Sequence, residues 1–176
     1  MPSAKFGWDS LDALLGEEAV YPRDVIVLKG PEGTLKTQIG LLFLLDSDPV
    51  STPGITGCKR SLILPARDEP STVAHMLRQR FVAFHRAHWS RPGTLCKRDD
   101  QIIITEVPGG FVYPGRVLQS LEDEFEKARA VGDVIDRVMI DDVAHWELAC
   151  PFVREDQTFG DTLTRLLRRY TPRGLK

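Results

Sequence analysis

The segment that most constrains this chain is Gly30-Pro31-Glu32-Gly33-Thr34-Leu35-Lys36-Thr37, which joins a short apolar run to a helical stretch. The run before it, Asp24-Val25-Ile26-Val27-Leu28, is too short and too β-branched for a helix and predicts the first strand. Lys36 to Leu45 predicts the helix that follows. In that setting small residues let backbone N–H groups converge on an anion, and the helix N-terminus adds a favourable dipole. Lys36 would reach the β- and γ-phosphates of a nucleotide, and the Thr37 hydroxyl would hold Mg²⁺. The eight residues fit G-x-x-x-x-G-K-[ST] at every fixed position except one, because Leu35 stands where the second glycine is expected. If that position needs a positive φ, leucine costs ~1–2 kcal/mol there. Gly33, two residues earlier, would absorb part of the strain. The plainer reading is a glycine-containing turn with a solvated lysine; the flanking strand and helix favour the phosphate site.

Beyond this loop, apolar runs and helical patterns alternate to the end of the chain, predicting an α/β domain with a largely parallel sheet. Ser61 to Leu64 reads as a second strand, and Pro70 opens a helix running to about His85. Residues 46–57 and 86–100 read as loops. Gln101 to Thr105 and Arg137 to Ile140 read as two further strands. Between them Val117, Leu118, Leu121, Phe125 and Ala128 form one apolar helix face, with Gly132 as its stop. Leu163, Leu166, Leu167 and Tyr170 mark a last amphipathic helix. At 176 residues one core is expected, burying roughly 70% of the unfolded surface.

The net charge of −2 argues against bulk attraction to nucleic acid or anionic membranes. No apolar run approaches the ~20 residues of a membrane span, and the N-terminus lacks a signal-peptide pattern, so a cytoplasmic location is expected. Cys58, Cys96 and Cys150 are spaced for neither a disulfide framework nor a zinc site and read as reduced thiols. His85, His88 and Cys96 match no standard zinc spacing, and the two histidines read as surface residues at a helix end. Arg165, Arg168, Arg169 and Arg173 read as charges complementing a helix C-terminus, ahead of a DNA contact.

Hydrolysis needs carboxylates beside the phosphates. Asp141 ends the run Val138-Met139-Ile140 and is the expected magnesium ligand, acting through a water. Asp142 follows it, but alternate strand residues point to opposite faces. Asp68 and Glu69, just past the second strand, supply a candidate general base. They serve equally well as acids at a helix N-terminus, and both readings stand.

The motifs in this order resemble the RecA/KaiC superfamily of P-loop ATPases, the KaiC-like branch in particular. The likeness starts at Phe6-Gly7-Trp8-Asp9-Ser10-Leu11-Asp12-Ala13-Leu14-Leu15-Gly16 and continues through Gly30 to Thr37 and Leu62 to Pro70. It extends over Asp136 to Asp142, Cys150-Pro151-Phe152 and Leu163 to Tyr170. This chain differs from the family at Leu35 and at Arg67, where some members carry a second acid. The resemblance implies a mainly parallel twisted sheet with helices on both faces. It also implies ATP and Mg²⁺ as ligands, assembly into homo-oligomeric rings or filaments, and a general base at Asp68, with Glu69 one register away.

In that family a further strand lies between the P-loop strand and the strand ending in the aspartate. Residues 171–176 carry Pro172 and Gly174 and suit a buried strand poorly. The domain is therefore expected to be incomplete at its C-terminal end, or completed by another chain or an unusual pairing, and to be a poor ATPase alone. Three functions are carried forward: a Mg-dependent ATPase, a non-hydrolysing ATP-binding regulatory or scaffold module, and a recombinase-like DNA-binding ATPase.

Overall fold

The computed structural model describes residues 9–16, 24–47, 57–65, 69–78, 95–96, 101–105, 114–142 and 159–170. In chain order the elements are α1 (Asp9–Leu15), α2 (Lys36–Leu45), β1 (Asp46–Ser47), β2 (Lys59–Leu64) and α3 (Pro70–Met76). They continue as β3 (Leu95–Cys96), β4 (Ile102–Ile104), α4 (Pro114–Ala130), β5 (Val134–Ile140) and α5 (Phe159–Tyr170). Strands β4, β2 and β5 form a parallel sheet in that order. Ile63 pairs with Ile104 and Leu64 with Ile140, so the three carboxyl ends lie together. Among the described residues no helix is long and apolar enough to cross a membrane.

The period-2 alternation of β2 divides the core into two layers. Leu62 and Leu64 pack with Val117, Leu121, Phe125 and Ala128 of α4 and Leu163 of α5. Ile63 turns the other way, into a cluster with Leu41 and Leu44 of α2, Val73 of α3 and Met139 of β5. The sheet is thus covered on both faces, as expected of parallel strands. Gly132 stops α4 as its sequence position predicts: it has φ 78° and donates to the Arg129 carbonyl at 3.1 Å, while the Asp133 N–H reaches the Ala128 carbonyl at 2.9 Å. Asp133 then accepts a 2.7 Å bond from the Cys58 N–H and pairs with Arg60, tying the entrance of β5 to that of β2. The Cys58 N–H and, less strongly, Arg60 hold this carboxyl below its ordinary range against the opposing effect of burial.

Helix α2 fits closely against β5. Thr37 and Gly40 share one helix face, three residues apart, and Met139 and Asp141 share one strand face, two apart. Gly40 lies against Met139, whose sulfur would sit 2.7 Å from an added Cβ. That close approach brings Thr37, one turn earlier, to Asp141. The far end of α2 is held by two side chains. Ser61 Oγ donates to the Leu44 carbonyl at 2.7 Å, and Arg137 Nη1 donates to the Phe43 carbonyl at 2.6 Å. The Arg137 side chain belongs to a buried residue and lies 4.6 Å over the Phe43 ring. Its charge complements the negative end of the helix dipole and satisfies a carbonyl that the helix itself cannot. Arg137→Leu is expected to lower stability by about 1.5–3 kcal/mol, the worth of a hydrogen bond to a charged group. Urea unfolding measures this, and a loss below ~0.5 kcal/mol would contradict the capping role.

The structure corrects two sequence expectations. Residues 24–28 form no strand: Val25, Ile26, Val27 and Leu28 are 45, 42, 65 and 39% exposed and pair with none of the described strands. Strand propensity expresses fit to a pleated, half-buried surface, and it yields a strand only where a neighbour offers its backbone groups. The expected loops at 46–57 and 86–100 contain β1 and β3, which pair antiparallel as Asp46 with Cys96 and Ser47 with Leu95. Two-residue strands leave no periodicity to read. The lead-in segment contains a helix, α1, closed by Gly16 at φ 86°. Residues 171–176, expected to suit a buried strand poorly, lie outside the described residues.

Candidate functional site

The segment 30–37 forms a tight turn that delivers the chain into α2. Lys36 folds its ammonium back over this turn, donating to the Gly30 carbonyl at 2.9 Å, the Pro31 carbonyl at 2.7 Å and Thr34 Oγ1 at 3.1 Å. Thr34 Oγ1 in turn donates to the Pro31 carbonyl at 2.8 Å. Gly33, Thr34, Leu35, Lys36, Thr37 and Gln38 line an open hollow of ≈ 210 Å³. Whole small-molecule pockets measure about 300–1,000 Å³, so this hollow is on the scale of a phosphate group rather than a nucleoside. A positive side chain and the first N–H groups of a ten-residue helix meet there, an arrangement suited to an anion. Of the remaining loop residues, Glu32 is exposed.

Thr37 Oγ1 donates to Asp141 Oδ1 at 3.1 Å across 104 positions of sequence. Asp141 follows the last residue of β5, and its N–H bonds the Leu64 carbonyl at 3.0 Å, which fixes it at the carboxyl end of the sheet. A hydroxyl and a carboxylate oxygen at this spacing are hard donors of the type Mg²⁺ takes. That ion commonly uses only one or two protein groups and completes its shell with water and phosphate. Among the described residues there is no cluster of three or more His, Cys, Asp or Glu side chains. A donor set of oxygens alone suits Mg²⁺, whereas zinc sites draw mainly on nitrogen and sulfur.

Backbone strain gathers at the same place. The non-glycine residues with positive φ among those described are Leu35 at 59° and Asp142 at 50°. They adjoin Lys36 and Asp141 in the chain. Left-handed conformations in such residues persist only where the surroundings enforce them, and they concentrate at functional sites. The position expected to demand glycine does adopt the glycine conformation, and Leu35 meets it with its side chain 57% exposed. Aspartate tolerates the same geometry more easily because its short polar side chain can bond locally. Leu35→Gly is expected to raise stability by about 1 kcal/mol, since ~1–2 kcal/mol of left-handed strain is relieved against ~0.5–1 kcal/mol of added chain freedom. A fall in the urea midpoint would show that the Leu35 side chain contributes packing that outweighs its strain.

The two sources of a general base are placed differently. Glu69 is exposed and occupies the N-cap position of α3, without a side-chain capping bond. Because β2 and β5 end together, this segment leaves the sheet at the same end as Asp141. Asp68 lies outside the described residues, as do His85 and His88; Cys96 is in β3, and Cys58 is an exposed free thiol. Thr34 belongs to the loop that the sequence marked for phosphate, whereas sequence reading missed Arg137, whose signal was a charge within an apolar strand. No family model, curated protein or solved structure matches the chain.

Proposed function

We propose that this chain binds ATP with Mg²⁺ through residues 30–37 and hydrolyses it, as a P-loop domain of RecA/KaiC type. The observation that carries the reading is the Thr37–Asp141 hydrogen bond. Two residues far apart in sequence, each singled out for magnesium on separate grounds, have oxygens within 3.1 Å. In this reading Lys36 and the loop N–H groups bind the phosphates. Thr37 and Asp141 hold Mg²⁺, which supplies charge neutralisation on the β- and γ-phosphate oxygens. Asp68, or Glu69 one position on, orients and deprotonates the attacking water. In this reading a neighbouring copy in a cytoplasmic homo-oligomer completes the nucleotide site.

Leu35 favours a second reading, binding without turnover, because an exposed leucine occupies the turn beside the phosphate hollow. Titration of fluorescent ATP with and without Mg²⁺, run beside a phosphate-release assay and repeated with DNA, separates the readings. Mg-dependent binding with phosphate release supports the ATPase, and binding without release supports the regulatory module. Release that requires DNA supports the recombinase-like alternative. Absence of ATP binding in the folded protein overturns all three.

A further inference from the structure

We propose that Thr34 is a positioning residue that aims the Lys36 ammonium into the phosphate hollow, an inference that rests on the nucleotide-binding reading above. A hydroxyl has one proton to donate. Thr34 gives its proton to the Pro31 carbonyl at 2.8 Å, so the oxygen lone pairs remain for the Lys36 ammonium, 3.1 Å away. The ammonium has three protons, and three acceptors face it: the Gly30 carbonyl, the Pro31 carbonyl and Thr34 Oγ1. The Pro31 carbonyl accepts from both Thr34 and Lys36, using its two lone pairs. The side chain at position 34 thus ties the start of the turn to the residue that opens α2.

Gly30 belongs to the same device. A Cβ there would stand 2.9 Å from Thr34 Oγ1, tighter than ordinary packing, so the absence of a side chain at position 30 makes room for the hydroxyl at position 34. When the ligand binds, a phosphate oxygen replaces the Gly30 carbonyl, and the bonds from the ammonium to Thr34 Oγ1 and the Pro31 carbonyl persist. An anionic acceptor forms a bond roughly twice as strong as a neutral one. Thr34 Oγ1 and the Pro31 carbonyl would keep the nitrogen in place while the third proton turns to the ligand. Without the hydroxyl, the ammonium loses one of its three restraints before binding, and the ordering must be supplied by the ligand.

The test compares wild type, Thr34→Val, Thr34→Ser and Lys36→Ala. Tripolyphosphate and ATP–Mg²⁺ are the ligands, and ¹⁵N-lysine labelling reports on the Lys36 ammonium. Thr34→Val, which exchanges the hydroxyl for a methyl of similar size, is expected to weaken tripolyphosphate binding roughly tenfold. It should also accelerate proton exchange at the Lys36 ammonium in the free protein. Thr34→Ser should restore both, since it keeps the oxygen and removes only a methyl. Unchanged or tighter binding in Thr34→Val, unchanged ammonium exchange, or failure of Thr34→Ser to restore either property would each overturn the positioning role. Lys36→Ala keeps the two failures apart. If it leaves tripolyphosphate affinity unchanged, the loop is not a phosphate site at all. If it abolishes binding while Thr34→Val matches wild type, the loop reading stands and the role of Thr34 falls.

Discussion

Lys36→Ala is expected to lower ATP affinity by about 100-fold while leaving the protein folded. A hydrogen bond between the ammonium and a charged phosphate oxygen, at about 3 kcal/mol, amounts to about two decades at ~1.4 kcal/mol per decade. The fold should survive because Lys36 belongs to neither apolar cluster and its bonds are to the loop it closes. The leucines that anchor the same helix, Leu41 and Leu44, lie further along it and are fully buried. Calorimetric titration with ATP–Mg²⁺ measures the loss, with circular dichroism as the control on folding. A folded variant with wild-type affinity would remove the basis for the nucleotide-binding reading.

The second large effect is expected at the carboxylates, and it separates binding from chemistry. Asp141→Asn retains an oxygen that can accept the Thr37 hydroxyl, so the 3.1 Å link between α2 and β5 can persist. What it removes is the negative charge. ATP affinity in the presence of Mg²⁺ should therefore fall by about 10–100-fold, in line with the loss of a carboxylate that acts on the metal through a water, whereas affinity without Mg²⁺ should change little. Asp68→Asn should show the opposite pattern, with binding retained and phosphate release lost. Loss of release in Glu69→Gln alone would move the base by one residue, to the N-cap of α3. Equal losses for Asp141→Asn with and without Mg²⁺ would assign Asp141 a structural role in place of metal binding.

Much of this architecture could be read from local patterns. The apolar stripe from Val117 to Ala128 and the stop at Gly132 required only helical spacing and the conformational freedom of glycine, and α4 with its left-handed turn matches them. Helix α2 spans Lys36–Leu45 as its sequence indicated. Strand β2 was legible from its core, Ser61 to Leu64, and extends two residues earlier. Each of these features depends on residues close together in the chain.

Residues 24–28 show where local reading stops. Their β-branched composition is that of a strand, yet a strand exists only when another backbone pairs with it, and the described sheet does not include them. The positive φ at Leu35 was anticipated from the motif, but only the folded turn decided that leucine adopts it. Arg137 would be an anomaly in a buried strand until the end of α2 places the Phe43 carbonyl 2.6 Å from its guanidinium. The candidate residues can be picked out along the chain, because their types and their places beside strand and helix patterns are local properties. The meeting of Thr37 with Asp141 is a product of folding. That contact depends on Gly40 letting α2 approach Met139 and on β5 ending level with β2, and packing between distant segments has no local signature.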